Sequence, residues 1–245
     1  MTRSSIASIF LLAACGGSTT SSLPPEKSGE TSQAAKCSLA PGEDVCTRLS
    51  TIRPDGRSVV ANVTAFASET RALVVSLEAA CRDALGELGD EPLVERPDAR
   101  PLQRAETACE RAFEVLTAHR PAGATLVTAE PACHPSQVPV CVLDPQPALW
   151  QACDAPKVTV RLAPHDTANS RRWVYVVEHE MAPVFAARYA LSALLDRTRA
   201  LTTLVGKAPD LGECNDAATA LMKQALEEVR GATQIAVAST WVLES

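Results

Sequence analysis

The residues with the most chemical potential are nine cysteines and four histidines. His179 and Glu180 form the pair that opens a zinc-protease helix, but Pro183 stands where the second histidine belongs. Zinc needs that i, i+4 pair on one helix face, so no metal is expected. Glu178, His179 and Glu180 instead suit the acidic first turn of a helix, where the macrodipole favours carboxylates. His134 follows Cys133, and His165 precedes Asp166 in an expected turn. With His179 they are the candidates for a small-ligand or enzymatic site. No spacing joins the three, so no catalytic residue and no cofactor is expected. Cys214 falls in the first turn of an expected helix, where a thiolate is stabilised, and is a candidate reactive thiol. The chain also lacks a Gly-x-Ser-x-Gly elbow, a phosphate-cradling glycine loop and a dinucleotide fingerprint.

The ninth cysteine, Cys15, stands apart by its context. Arg3 is followed by the apolar run Ile6 to Ala14, far short of the ~20 residues that span a bilayer and suited to a signal peptide. Leu12-Ala13-Ala14-Cys15 resembles the lipobox of bacterial lipoproteins. The resemblance implies cleavage before Cys15, a diacylglycerol on its sulfur, and acylation of the new amino group by a chain such as palmitate. Residues 1–14 are then a signal peptide. Residues 15–36 carry the lipidated cysteine and a Gly/Ser/Thr/Pro-rich tether too polar to fold. Gly16, where an Asp would favour retention at the inner membrane, implies the outer membrane by the same resemblance. The partner so implied is a membrane, held through lipid.

Export explains the other eight cysteines, Cys37, Cys46, Cys81, Cys109, Cys133, Cys141, Cys153 and Cys214. An even number in an exported chain reads as four disulfides, and no Cys-x-x-Cys pair suggests zinc or dithiol redox chemistry. The even count also favours a disulfide over a free thiol at Cys214. A net charge of -6 excludes nucleic acid as an electrostatic partner.

The positions of these residues depend on four helical segments. Apolar residues from Val60 to Leu88 recur at spacings of three and four, predicting a helix from about Gly56 to Gly89. Leu102, Ala105, Cys109, Ala112 and Leu116 predict a second, opening at Pro101. The third runs from Pro183 to Gly206. The fourth follows Pro209, with Asp210 as cap and Glu213 reaching back. Cys81 lies eight residues before Gly89 and Cys109 eight after Pro101, both on apolar seams and both ~12 Å from a shared loop. An antiparallel hairpin brings them together, which predicts a Cys81–Cys109 disulfide. The remaining six cysteines allow 15 connectivities, of which Cys37–Cys46 is attractive for proximity alone.

Residues 121–178 differ in character, being dense in proline and cysteine. Lys157 to Ala163 and Arg172 to Val177 are read as strands around a turn at Pro164 to Ser170. The expected fold is mainly α: an antiparallel four-helix bundle of two hairpins with a small disulfide-tied β insertion, forming one domain over residues 37–245. Trp150, Trp173 and Trp241 are expected to pack in the core or insertion.

In layout the chain resembles uncharacterised lipoproteins of myxobacteria. The shared features are Leu12 to Cys15, the polar tether, Cys81 with Cys109, and the helix from Pro183 to Gly206. That resemblance brings no activity with it. The expected function is a cell-envelope lipoprotein acting as a structural or partner-binding module. The alternative is a ligand-binding or enzymatic domain with its site between bundle and insertion.

Overall fold

The periodic segments become long helices in the computed structural model, which describes residues 54–89, 93, 98–129, 131, 133–135, 151–154, 156–162, 168–206 and 214–244. Cys15, Cys37, Cys46, Cys141, Trp150, His165 and the expected cap at Asp210 lie outside the described residues. Helix α1 spans Pro54–Leu88 and α2 spans Pro101–Ala118. Four short strands follow: β1 (Thr125–Thr128), β2 (Cys133–Pro135), β3 (Gln151–Cys153) and β4 (Val158–Arg161). Then come α3 (Ala168–Tyr175), a π-helical turn (Val176–Glu180), α4 (Ala182–Gly206) and α5 (Cys214–Glu244). The protein is mainly helical.

Helix ends follow local chemistry. Pro101 opens α2, where a missing N–H costs nothing, and the Gln103 side chain accepts a bond from the Arg100 N–H. Gly89 ends α1 with φ +78°, a conformation that favours glycine at the residue after a helix. Gly123, φ +76°, holds the third position of the turn from Pro121 to Ala124 that leads into β1.

The core gathers the apolar seams of the long helices, including Val63, Phe66, Val74 and Leu77 of α1, Leu116 of α2, Leu191 and Leu194 of α4, and Val229 of α5. Two hydroxyls buried on α1 are satisfied locally. The buried Thr64 and Thr70 hydroxyls donate to the carbonyls of Val60 and Phe66, one turn back.

Cys81 and Cys109 form a disulfide, with a Cα separation of 4.9 Å. The helices it joins do not form an antiparallel hairpin. Arg104 binds Glu78, Cys109 bonds to Cys81, and Val115 lines a surface pocket with Leu88. Partners on α2 therefore ascend as those on α1 ascend, with a nearly constant offset, so the two helices run parallel. The physical reason is the connecting segment. At that offset Pro101 is level with Val74, roughly 21 Å back along α1. The twelve residues from Gly89 to Arg100 can reach roughly 40 Å. A shorter link would have forced a hairpin.

The other long helices are oriented from the same end. Trp173 of α3, which the π turn joins to the start of α4, donates its indole N–H to the Leu116 carbonyl at the end of α2, 2.8 Å away. Arg188, early in α4, donates to the Thr240 hydroxyl late in α5, 2.9 Å away. Helix α4 therefore starts where α1, α2 and α5 finish. Three long helices run one way and α4 runs against them.

The region between α2 and α4 holds two antiparallel two-stranded sheets, β1 with β4 and β2 with β3. The strand expected near residue 158 is β4. The strand expected from Arg172 to Val177 is helical, because tertiary burial overrides a local preference of β-branched and aromatic residues for strands. Ser170, Trp173, Val176, Val177 and Met181 are buried at helical spacing. Glu178, His179 and Glu180 are not a first turn; they continue α3 as the π turn, with the Met181 N–H bonded to the Val176 carbonyl. The break at Met181 leaves Pro183 near the start of α4, where a ring without an N–H fits.

Candidate functional site

The histidine candidates do not assemble into a described site. His134 lies in β2, opposite Ala152. His179 is exposed and stacks on Tyr175, with ring centroids 4.7 Å apart. Among the described residues, no three His, Cys, Asp or Glu side chains are grouped to hold a metal ion. Cys214 is disulfide-bonded, which removes the free-thiol candidate. Cys133 and Cys153 face each other across β2 and β3 in the backbone register.

Several carboxylates are committed to structure. Glu228 of α5 is buried and receives two bonds from the Arg71 guanidinium of α1, at 2.7 and 3.2 Å, and one from Gln224. Glu78 of α1 joins Arg82 and Arg104, tying α1 to α2. Glu178 of the π turn accepts the Val160 N–H of β4 at 2.7 Å, linking the turn to the sheet. Glu69 of α1 has a buried Oε2 with no hydrogen-bond partner. Burial raises its pKa, and the opposing pull of the Arg197 guanidinium on α4 does not cancel that effect. Arg197 in turn is pushed down, chiefly by burial. At the surface, the Tyr175 hydroxyl is raised first by the Glu180 charge beside it.

The feature with the geometry of a binding site is a groove of about 330 Å³ between α2 and α5. That is near the small end of known ligand pockets. Its apolar wall includes Leu102, Cys109 and Phe113 from α2 and Ile235 and Ala238 from α5. Gly231 lets the helices close at the Leu102 end: a Cβ there would lie 2.7 Å from a Leu102 methyl. Glu106 and Glu110 stand on the α2 wall, exposed and one helical turn apart. Trp241 was expected to pack inward and is instead 70% exposed. It lies on the same α5 face as Gln234 and Ala238, one turn beyond the groove, because a stripe of period 3.6 carries those positions outward together.

Sequence reasoning identified the seam residue Cys109 but neither the groove nor its acidic wall. The available signal was the pair Glu106 and Glu110, like charges at i, i+4 without lysine or arginine at the next turn on that face, Phe113 and Glu114. No helix among the described residues is long and apolar enough to cross a membrane. Comparison of the chain with protein-family models, curated proteins and solved structures found no match.

Proposed function

We propose that this chain is a bacterial cell-envelope lipoprotein, anchored through lipid on Cys15 to the outer membrane, whose helical domain binds a protein partner. In this reading α1, α2, α4 and α5 form one four-helix bundle with α4 antiparallel to the rest. The region between α2 and α4, with its remaining disulfides, is an insertion at one end. The observation that carries the partner-binding part is the α2–α5 groove with Trp241 exposed beside it. An apolar-walled trough with an exposed aromatic side chain one turn beyond it has the character of an interaction site. The lipobox-like Leu12 to Cys15 carries the anchoring part.

Two measurements test it in the native host. Intact mass of the mature protein is expected to show cleavage before Cys15 and added diacylglycerol, with Cys15→Ala abolishing both. An unprocessed N-terminus or a bare Cys15 would remove the anchoring part. A photoreactive residue at Ala238 is expected to give discrete cross-linked protein adducts that one at the exposed Ala200 of α4 does not. Identical patterns at the two positions would remove the partner-binding part.

A further inference from the structure

We infer that the groove between α2 and α5 seats a basic amphipathic helix of a protein partner; this rests on the partner-binding reading above and names the partner's chemistry. Shape comes first. From Leu102 to Phe113 the α2 wall is about 16 Å long, or three turns of a docked helix. The groove is closed at one end where Leu102 meets Gly231 and flanked at the other by Trp241. A trough between two parallel helices suits an amphipathic helix with apolar anchors at i, i+3 or i+4, and i+7.

Charge then selects the sign of the partner. Apart from the disulfide sulfur, the ionisable groups on the walls are Glu106 and Glu110. Neither makes a hydrogen bond or ion pair among the described residues, whereas Glu78, Glu114, Glu178 and Glu228 each have a partner. Two like charges at i, i+4 repel, and a lysine or arginine beside the partner's apolar stripe relieves that repulsion. Carboxylates at the rim of an apolar trough steer a cationic ligand in and reject an anionic one. The exposed Trp241 indole adds a large apolar face and a ring that attracts cations.

The test uses the folded mature chain with three synthetic 18-residue peptides. One is a Leu/Lys amphipathic helix, one is its Leu/Glu counterpart, and one is the Leu/Lys composition scrambled to destroy the stripe. Calorimetry is expected to show 1:1 binding of the Leu/Lys helix and at least about tenfold weaker binding of the other two, with salt narrowing the gap to the Leu/Glu peptide. A blue shift of tryptophan emission on binding is expected and is lost in Trp241→Phe. Glu106→Lys with Glu110→Lys is expected to reverse the preference between Lys and Glu peptides, and Glu106→Gln with Glu110→Gln to abolish it. All three positions substituted are at the surface, and a circular-dichroism melt verifies each fold. Equal affinity for both charges, an unchanged preference in the reversed variant, or equal binding of the scrambled peptide overturns the inference. The last outcome would mean capture of cations without helix recognition. If Ala238 adducts form in cells while the Leu/Lys helix does not bind, the partner's chemistry is wrong and the partner-binding reading stands.

Discussion

Removing the Cys81–Cys109 disulfide by Cys81→Ala with Cys109→Ala isolates what the cross-link contributes. The residues are 28 apart in sequence, and both are buried. In the chain-entropy relation a closed loop of that size removes about 12 cal/mol/K from the denatured chain, or about 3.6 kcal/mol at 25 °C. Alanine keeps the site apolar, so little of the effect comes from desolvating a new polar group. For a domain of this size each kcal/mol moves the melting temperature by roughly 2–4 °C, which gives a drop of roughly 7–14 °C. The assay is thermal unfolding of the oxidised protein by circular dichroism, with the other cysteines left in place. Urea unfolding of the same pair is expected to show a steeper slope for the variant, because its denatured chain expands further. A melting temperature within about 2 °C of the parent would refute the reasoning, since it would mean that the denatured chain is held compact by something other than this bridge.

Three further outcomes follow from named contacts. Arg71→Ala leaves the buried Glu228 carboxylate without its main partner and is expected to cost about 2 kcal/mol in urea unfolding, while Arg71→Met with Glu228→Leu recovers most of that; equal losses in both variants would contradict it. Trp173→Phe removes the bond to the Leu116 carbonyl and is expected to cost about 1–2 kcal/mol, with faster hydrogen exchange at the end of α2; unchanged exchange there would show that the bond does not hold the junction. Glu69 has a folded pKa above its ordinary 4.5, so its contribution is most favourable below that pH and is lost as pH rises through the raised folded value. Stability of the parent relative to Glu69→Gln is therefore expected to fall as pH rises above 4.5, and a difference independent of pH would sink the assignment.

The helices were legible because their seams are long and regular, and α2 begins at Pro101, as its proline suggested. The Cys81–Cys109 pair is legible from the seams and not from the loop. Both residues lie on apolar seams, which is what brought them together, but their equal distances from a shared loop were irrelevant once the helices ran parallel. Helix direction is set by whether the link between helices is long enough to return, and an eleven-residue stretch with two prolines between the expected helices reads equally well as a turn or a strap. Arg172 to Val177 misled because valine, tyrosine and tryptophan favour strands locally, while the deciding contact, Trp173 with Leu116, lies 57 residues away in the chain. The groove was invisible for the same reason. Its two walls are separated by more than a hundred residues, and nothing in α2 alone shows that Cys109 and Phe113 line a trough against α5.

The shared direction of α1, α2 and α5 gives the domain a permanent electrical polarity along its length. Each helix carries roughly half a negative charge at its C-terminal end and half a positive charge at its N-terminal end. Three negative poles gather at the end near Leu88, Ala118 and Glu244, and among the described long helices only α4 opposes them there with its start. A polar ring is placed against this pole: the His119 ring lies 2.8 Å from the Val115 carbonyl in the last turn of α2. A helix entering between α2 and α5 meets two aligned dipoles, not a cancelling pair. The favoured docking direction is therefore antiparallel to both, so the domain would discriminate the orientation of a partner helix as well as its sequence.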